Sequence, residues 1–255
     1  MKKSEIIYFD VDGTILDEKA SEINKTTIEA INKVQENGYK IAIATGRTSG
    51  ALDTPAIRSI CNWDGYILAN GGSIMDKEMN IVKEHLCKPE FIKQLITLYP
   101  DTIILEGYKN YVVNKMSKNL ANFLGDVVES LEVLEEYQDQ KILKVIIENF
   151  EGIPNGFDNE IFKDYDYHLN TAGMPEIFPK NSGKHIGIRE FNEIIGIKRH
   201  TYFGDGSNDV DPIREADFGI AMGNASEEAK EAADFVTKGS NEDGVVYALK
   251  HFGAL

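Results

Sequence analysis

Short apolar runs that end in polar residues recur along the chain and predict buried strands. The runs IIYF, IAIA and YILA lead directly into Asp10, Thr45 and Asn70. An uninterrupted apolar run of this length is typical of a central strand in a parallel sheet, because such a strand is covered on both faces. We therefore expect the three polar loops at the strand ends to carry the chemistry of the molecule.

Segments with helical spacing separate these strands. Ile28, Ile31 and Val34 recur at helical intervals, and Gly38 is a suitable stop for that helix. The same alternation returns after residue 180, where helical KHIGIREFNEII precedes the strands TYFGDGSND and FGIAMGN. Strands joined by helices form a parallel sheet with right-handed crossovers, and ligands bind at its carboxyl edge. The pattern predicts an α/β fold with a doubly wound parallel-sheet core.

The pattern changes between about residue 84 and residue 180. Helical PEFIKQLITLY is followed by strand-like TIILEG and NYVVNK, helical SKNLANFL, the strand KILKVIIE, helical NEIFKDY, and strand-like YDYHLNT and PEIF. Two rounds of a helix and paired strands predict a small open-faced sheet with helices on one side. We therefore predict a core formed by residues 1–83 and 181–255, with residues 84–180 inserted as an α/β cap.

The charge of the chain argues against some classes of partner. Its 255 residues carry a formal net charge of -15, which disfavours binding to nucleic acid or to an anionic membrane surface. Cys61 and Cys87 lack metal-ligand spacing and are too few for a disulfide framework. No apolar stretch is long enough to span a membrane, and the first residues do not form a convincing signal peptide. We expect a cytoplasmic protein.

The stretch IIYFDVDGTILD places two acids after the first strand. Asp10 and Asp12 would stand at the carboxyl edge of the sheet, while Gly13 lets the backbone turn and approach a ligand closely. Two carboxylates held together repel each other, so the site requires a cation. An EF-hand calcium loop fits poorly, because its glycine stands sixth, its glutamate twelfth, and a helix precedes it. A solvated turn remains an alternative for this stretch alone.

A second acidic loop, TYFGDGSNDVDPI, contains Asp205, Asn208 and Asp209. Phosphoryl transfer needs a nucleophile, a proton donor, donors to the phosphoryl oxygens and a divalent metal. Asp10 could attack phosphorus, while Asp12 could protonate the leaving oxygen and later activate water. Mg2+ favours a few carboxylates together with phosphate and water, so Asp10, Asp205 and the main-chain carbonyl of Asp12 form a suitable ligand set. Asp209 could orient a metal-bound water.

Several motifs together resemble one family. DVDGT, ATGR, NGG, PKNSGK and GDGSNDVDPI, with the trailing AMGNASEEAKEAADFVTKGSNEDGV, resemble the Cof-type phosphatases of the haloacid dehalogenase superfamily, and they occur in that family's order. The motifs cover both ends of the chain and leave residues of about 84 to 180 as the family's variable cap, which would set substrate specificity. The resemblance implies Asp10 as nucleophile, Asp12 as acid and base, Thr45, Gly46, Lys184 and Asn208 as phosphate-binding residues, and Asp10, Asp12, Asp205 and Asp209 as the metal site.

The chain departs from the family pattern around Lys184. Family members usually have Lys-Gly where this chain has Lys184-His185, and the GVS expected before the lysine is NSG. Spacing from Pro179 favours Lys184 as the phosphate-binding lysine, with Lys180 as the less favoured choice and a solvated surface lysine as the other interpretation. A lysine at the start of a helix suits a phosphate dianion.

Four further residues invite a role. Arg47 follows Thr45 closely and either touches phosphate or forms a structural salt bridge. His168, on a predicted cap strand, is expected to be half-buried or on the surface rather than a catalytic base. Met174 and Glu176 end the cap near its return to the core, and could face the substrate.

The expected function is Mg2+-dependent hydrolysis of a small phosphate monoester through an aspartyl-phosphate, with a sugar phosphate as first choice by resemblance alone. A phosphomutase or phosphotransferase and a non-catalytic phosphometabolite-binding protein stay open as alternatives. The binding protein is disfavoured because it has no need of a nucleophile. Dehalogenation is disfavoured because a halide leaves without being protonated by an acid. In that reaction Asp12 and the metal would have no role. We expect a monomer or weak homodimer whose partner is a small phosphorylated metabolite.

Overall fold

The apolar runs form the centre of an eight-stranded sheet. The computed structural model describes residues 4–17, 19–20, 22–53, 56–113, 115, 117–118, 121–122, 131–148, 159–170 and 173–255. The strands of this sheet are β1 (Ile6–Phe9), β2 (Lys40–Ala44), β3 (Gly65–Leu68), β4 (Ser73–Asp76), β5 (Ile81–Glu84), β12 (His200–Gly204), β13 (Phe218–Ala221) and β14 (Phe235–Val236). Their order is β14-β13-β12-β1-β2-β3-β4-β5. The strands from β14 to β3 are parallel, which places their carboxyl ends at one edge.

Helices connect the parallel strands and cover the sheet. They are α1 (Lys25–Glu36), α4 (Lys184–Ile195), α5 (Val210–Glu215), α6 (Glu227–Ala232) and α7 (Gly244–His251). Helix α1 buries Ala30, Ile31 and Val34, the three-to-four spacing that gives a helix one apolar face. Helix α1 contacts α7, whereas α5 contacts both α4 and α6. These two groups cover a doubly wound sheet, and the predicted fold class is confirmed.

A second sheet holds the strands between β5 and α4. It contains β6 (Ile103–Gly107), β7 (Asn110–Val113), β8 (Leu131–Leu134), β9 (Ile142–Ile147), β10 (Tyr165–Leu169) and β11 (Pro175–Pro179), in the order β10-β11-β9-β6-β7-β8. All its pairs are antiparallel except β7 with β8. Two helices accompany it, α2 (Pro89–Leu98) and α3 (Asn159–Phe162). We call this sheet with its helices the cap, and the eight-stranded sheet with its helices the core.

The two faces of the cap sheet differ in composition. One face packs Leu105 and Val145 against Phe91 and Leu95 of α2 in a buried apolar cluster separate from that of the core. The other face, which we call the open face, carries the alternate side chains, including the charged pair Glu106 and Lys144. The arrangement matches the open-faced sheet with helices on one side that the sequence predicts.

Two linkers join the cap to the core, and they run side by side. Asn181 Nδ2 of the second linker lies 3.2 Å from His85 Nδ1 of the first. The other ring nitrogen of His85 lies 2.8 Å from Glu190 Oε2 on α4. The predicted domain boundaries remain a proposal. They are supported by the chain leaving the core sheet after Glu84 and re-entering the core at Lys184.

The sequence pattern missed two of the edge strands, β5 and β8, although it found the edge strand β10 as YDYHLNT. Strand β5 exposes 46% of Ile81 and 38% of Val82, and β8 exposes 64% of Val133, so neither contains a buried apolar run. Strand β4 is buried, but it follows the turn NGG so closely that the sequence pattern did not separate the strand from the turn. Half of the predicted helix over residues 117–124 lies outside the described residues. Within the described residues, none of the helices has the length and apolar character that crossing a membrane requires.

Candidate active site

The polar loops of the core meet where its parallel strands end. Strand β1 lies between β12 and β2, and β2 pairs with β3, so Asp10, Thr45, Asn70 and Asp205 all follow adjacent strand ends. The Asp10 N–H donates to the carbonyl of Phe203 on β12 at 2.9 Å, which continues the ladder one residue beyond β1. The N–H of Asn70 donates to the carbonyl of Thr45 at 3.1 Å. The structure therefore brings the predicted loops together.

Lys184 is the central cation of the site. Its Nζ lies 2.8 Å from Asp10 Oδ1 and 2.6 Å from Asp209 Oδ1, and its side chain is fully buried. Burial alone would lower the pKa of Lys184, but the carboxylates of Asp10 and Asp209 raise it above its ordinary value. Lys180, the alternative, is exposed. The site lysine is therefore Lys184, and it carries a positive charge.

Three acids surround one point in the site. Carboxylate oxygens of Asp10, Asp205 and Asp209 all lie within 4.8 Å of one another. Burial raises the pKa of Asp10, and the neighbouring carboxylates of Asp209 and Asp205 add to the rise, while Lys184 opposes it. The cluster thus holds three carboxyl groups and one ammonium. Hard oxygen ligands of this kind fit Mg2+, so the residues pass the chemical test for a divalent metal.

Side-chain hydrogen bonds hold the two acidic loops in place. Thr14 Oγ1 donates to Asp205 Oδ1 at 2.9 Å, and Asn224 Nδ2 donates to the carbonyl of Gly13 at 2.8 Å. Gly13 has a φ of +77°, and a Cβ there would lie 2.1 Å from Asp205 Oδ2. Only glycine lets the first loop approach Asp205 this closely.

Asp209 has a different environment from the other two acids. Its Oδ1 accepts from Lys184 Nζ and from the Tyr202 hydroxyl, and its Oδ2 accepts the N–H groups of Asp205 and Gly206, each at 2.9 Å. Burial alone would raise the pKa of Asp209, but Lys184 and these hydrogen bonds bring it below its ordinary value. Four donors occupy the four lone pairs of the carboxylate. This geometry favours Asp209 as the anchor of Lys184 and of the acidic loop, and its direct role at a metal stays a prediction.

Asp12 is the accessible acid of the pair in the first loop. Its side chain is 47% exposed, and Arg47 binds it with both arms of its guanidinium, Nε to Oδ2 at 2.8 Å and Nη2 to Oδ1 at 2.7 Å. Arg47 Nη1 also donates to the carbonyl of Ala51 at 3.0 Å. Arg47 therefore forms the salt bridge that was one of its two predicted roles, and its partner is the predicted acid and base.

The remaining predicted phosphate ligands line the other side of the site. Thr45 is buried and accepts the N–H of Arg47 at 3.2 Å. Asn208 Nδ2 donates to Asn70 Oδ1 at 3.1 Å. A Cβ on Gly46 would lie 3.2 Å from that same oxygen, so Gly46 lets the two loops pack closely. The roles of Thr45, Gly46 and Asn208 toward phosphate stay predictions.

Three residues named in the sequence analysis belong to the cap. Glu176 Oε2 accepts from Asn70 Nδ2 at 2.9 Å, so this residue reaches the core loop. Met174 instead packs beside the small apolar group formed by Ile104, Val112 and Ile146. His168 is half-buried, and burial lowers its pKa, as expected of a residue that is not a charged base.

Sequence reasoning missed several contributors to the site. Tyr202 sits inside β12 and reads as an ordinary buried strand residue, so nothing in the pattern marks its hydrogen bond to Asp209. Asn224 lies far along the chain from Gly13, and only the fold joins them. Asn70 did carry a signal, because it ends an apolar strand as Asp10 and Thr45 do.

Comparisons with known proteins identify the family of this chain. The chain matches the model of the family described as haloacid dehalogenase-like hydrolase over residues 7–249. It is 28% identical to the 5-amino-6-(5-phospho-D-ribitylamino)uracil phosphatase YcsE of Bacillus subtilis (strain 168), over 97% of this chain and 95% of that protein. It is 27% identical to a phosphoglycolate phosphatase of Archaeoglobus fulgidus, over 100% of both proteins.

Solved structures give the same result. The HAD subclass IIB sugar phosphatase BT4131 matches with a TM-score of 0.81 and 27% identity, over 99% of this chain and 100% of that chain. The family resemblance drawn from the motifs is thereby confirmed. Because the family match spans nearly the whole chain, this protein belongs to the haloacid dehalogenase-like hydrolases, in their Cof-type branch, and is a phosphatase.

Proposed function

We propose that the protein hydrolyses small phosphate monoesters in two steps, with Mg2+ as cofactor and the phosphoryl group carried on Asp10. The observation that supports this most directly is the placement of Lys184 Nζ between Asp10 and Asp209, in the same cluster as Asp205. A dianionic phosphoryl group needs a fixed cation beside the nucleophile. The buried ammonium supplies it, and the remaining negative charge of the cluster calls for a divalent metal.

In the first step, an Asp10 carboxylate oxygen forms a bond to phosphorus as the ester oxygen leaves with its electron pair. Asp12 donates a proton to that oxygen, so the product is a neutral alcohol. Lys184, Thr45 and Asn208 are the proposed donors to the phosphoryl oxygens. Mg2+, held by Asp10, Asp205 and the main-chain carbonyl of Asp12, would neutralise charge on the phosphoryl group.

In the second step, water attacks phosphorus and restores Asp10. Asp12, now ionised, takes the proton from that water, and inorganic phosphate leaves. Arg47 contacts both carboxylate oxygens of Asp12 and so fixes the position of this side chain. Asp12 is half exposed, so water reaches it directly.

Sugar phosphates are the proposed substrates. Support comes from the sugar phosphatase BT4131, which matches over nearly the whole length of this chain, and from YcsE, whose substrate by name carries a ribityl group. Release of inorganic phosphate distinguishes hydrolysis from a phosphomutase, which would return an isomeric phosphate ester. A screen of phosphorylated sugars and polyols for phosphate release tests both points.

Metal dependence gives the first prediction. Excess chelator should abolish phosphate release, and added Mg2+ should restore it. Ca2+ should restore less than about a hundredth of it, because longer and more variable coordination misplaces the attacking oxygen. The measurement is phosphate release after removal of metal and re-addition of each ion.

The control is Asp139→Asn, which removes an exposed cap carboxylate paired with Lys93 and should leave the metal response unchanged. Asp205→Asn should raise the Mg2+ concentration needed for half-maximal activity. Full turnover in excess chelator would show that the acidic cluster serves another purpose.

A further inference from the structure

A row of polar side chains crosses the open face of the cap. Glu106 on β6 pairs directly with Lys144 on β9 and with Asn110 on β7. Directly opposed residues of antiparallel strands point to the same face, so these three side chains share the open face. Glu176 on β11 completes the row, because its Oε2 accepts a hydrogen bond from Lys144 Nζ at 2.7 Å. The row spans four neighbouring strands of the cap sheet.

One end of the row touches the phosphate site. Glu176 Oε2 accepts from Lys144 and also from Asn70 Nδ2, and Asn70 Oδ1 in turn accepts from Asn208. The row thus begins beside Asn70, which contacts the proposed phosphate donor Asn208, and it extends away from there strand by strand. Neighbouring strands are about 4.8 Å apart, so Glu106 and Asn110 lie two and three strand spacings from the strand of Glu176.

The charge of the row is not positive. Lys144 Nζ lies 2.9 Å from Glu106 Oε2 and 2.7 Å from Glu176 Oε2, so one ammonium serves two carboxylates. Burial alone would lower the pKa of Lys144, but Glu106 and Glu176 raise it, so the lysine stays charged. Burial raises the pKa of Glu106. Whether or not Glu106 takes up a proton, the net charge of the three groups is zero or negative.

Neighbouring groups add no positive charge to the row. His168 is paired with Glu176 across β10 and β11, but burial lowers the pKa of its imidazole, so the ring is neutral near pH 7. Arg47, which follows Gly46 in a core loop beside Glu176, directs two of its guanidinium nitrogens to Asp12. A second anionic group on a substrate would therefore meet no free cation among the described residues of this row.

The row also contains an acceptor without a donor. Asn110 is 7% exposed, and its Oδ1 has no hydrogen-bond partner among the described residues. A buried acceptor without a donor is unfavourable, so such groups are expected to be satisfied by a ligand or by water. Hydroxyl groups are the donors that a sugar or polyol offers.

We infer that Glu106, Asn110, Lys144 and Glu176 form the subsite for the leaving-group part of the substrate, where they accept hydroxyl groups of a neutral sugar or polyol and reject a carboxylate or a second phosphate. The inference rests on the proposed function. It goes further by naming the residues that contact the substrate and the charge on a substrate that they disfavour. The inference predicts which of two substrate types named for relatives this chain prefers. Phosphoglycolate carries a carboxylate, whereas the ribityl group of the uracil phosphatase substrate does not.

The test compares substrates that differ by one anionic group. Glycerol 3-phosphate and 3-phosphoglycerate have the same length, and sorbitol 6-phosphate and 6-phosphogluconate form a second pair. Binding of all four to the Asp10→Asn variant with Mg2+ is measured by calorimetry, because this variant cannot turn them over. In each pair, the compound without the carboxylate should have a dissociation constant at least about tenfold lower. The reason is that like charges placed together in a binding site are strongly unfavourable.

Two variants identify the residues responsible. Glu106→Gln keeps the shape of the side chain and removes a charge, so it should bring the two dissociation constants of each pair closer together. Asn110→Asp adds a charge and should separate them further. Glu90→Gln, on the exposed side of α2, removes a cap carboxylate away from the open face and should leave the ratio unchanged. All variants are made in the Asp10→Asn background, and their folding is checked by circular dichroism.

The inference is overturned if each acid binds as tightly as its neutral partner, or if Glu106→Gln and Asn110→Asp give the same ratio as Glu90→Gln. Failure of the proposed function is a different result. In that case the parent enzyme would release no phosphate from any of the four compounds. The ratios of dissociation constants in the Asp10→Asn variant would still decide whether the row discriminates between substrates by charge.

Discussion

Asp10 and Asp12 stand two residues apart, but their surroundings differ. Asp10 is 6% exposed and contacts the buried ammonium of Lys184, whereas the Asp12 side chain is 47% exposed and contacts Arg47. A nucleophile gains from a dry site in which the phosphoryl charge is met by fixed charges. A group that exchanges protons with alcohol and water needs access to them. The two environments support the division of roles that we propose.

Separating these roles gives a second prediction. In Asp12→Asn, an aryl phosphate with an acidic phenol should still phosphorylate Asp10, because its leaving group needs little protonation. Breakdown of the aspartyl-phosphate should then slow by about 10²- to 10⁴-fold, the usual value of a general base. The measurement is rapid-mixing detection of phenol, with a burst close to one equivalent per enzyme followed by a slow steady rate.

Asp10→Asn serves as the matched variant, because it makes the same change of acid to amide two residues earlier. It should show no burst with any substrate, since the amide is a poor nucleophile. Turnover of aryl and alkyl phosphates at parental rates by Asp12→Asn would exclude Asp12 as the acid and base. A burst that persists in Asp10→Asn would exclude Asp10 as the nucleophile.

At the scale of residues, the sequence identifies groups that stand at strand ends and misses groups that act from within elements. Asp10 and Asp205 interrupt apolar patterns, so their positions alone attract attention. Tyr202 and Lys144 lie inside strands, where one polar residue gives no sign of what it faces. The contact between Arg47 and Asp12 depends on the packing of two loops, and sequence spacing left it as one of two alternatives.

At the scale of elements, the start of α4 is positioned by a close backbone contact. Gly71 has a φ of +84°, and a Cβ there would lie 2.2 Å from the carbonyl oxygen of Gly183. Lys184 directly follows Gly183 and begins α4. The turn after β3 therefore helps to fix the position of the site lysine.

Replacing this glycine gives a third prediction. Gly71→Ala should lower the free energy of unfolding by more than about 2 kcal/mol, because left-handed strain of about 1–2 kcal/mol is joined by a backbone collision. It should also lower phosphate release, because the start of α4 must move. The measurements are urea unfolding and steady-state kinetics.

Gly38→Ala is the control for strain alone. Gly38 has a φ of +89°, but a Cβ there would meet nothing within 4 Å. This variant should lose only the strain contribution and keep its activity. Equal effects of the two substitutions on stability and turnover would mean that the contact between Gly71 and Gly183 does not position Lys184.

The strands differ in how well their sequences predict them. Strands β1 and β2 lie inside the core sheet, and continuous runs of buried apolar residues mark them in the sequence. Strands β5 and β8 lie at sheet edges, where exposure permits polar residues and removes the pattern. Pairing partners of such strands are chosen by the fold, and a local sequence window does not contain that information.

At the scale of the whole molecule, the cap and the core have separate apolar clusters. The cluster around Phe91 and Val145 belongs to the cap, and the one around Phe9 and Phe203 belongs to the core. Polar contacts join the two, including Glu176 with Asn70 and Tyr108 with Glu84, and Tyr108 also packs against the core cluster. Units with separate clusters and polar contacts between them are expected to fold with little mutual dependence.

Removing the cap gives a fourth prediction. Joining His85 to Asn181 through a short linker should leave a core that unfolds cooperatively, because these two residues already lie side by side. The core should still bind Mg2+ through its acidic cluster, but it should discriminate poorly among phosphate esters because the open face is gone. Calorimetric unfolding, Mg2+ titration and a substrate panel measure the three properties.

The full-length protein is the reference for each measurement. A core that keeps the substrate ranking of the full protein would place specificity outside the cap. A core that binds no Mg2+ although it unfolds cooperatively would show that the cap helps to form the metal site.

The adjacency of His85 and Asn181 has a consequence for how such proteins diversify. An insertion whose entry and exit lie side by side can be lengthened, exchanged or replaced without moving the strands that flank it. Natural variation can therefore act on the cap while the core preserves one reaction. Lineages that share this chemistry can then acquire different metabolites as substrates. Exchanging the cap between two relatives should therefore transfer the substrate preference of the protein that donates the cap.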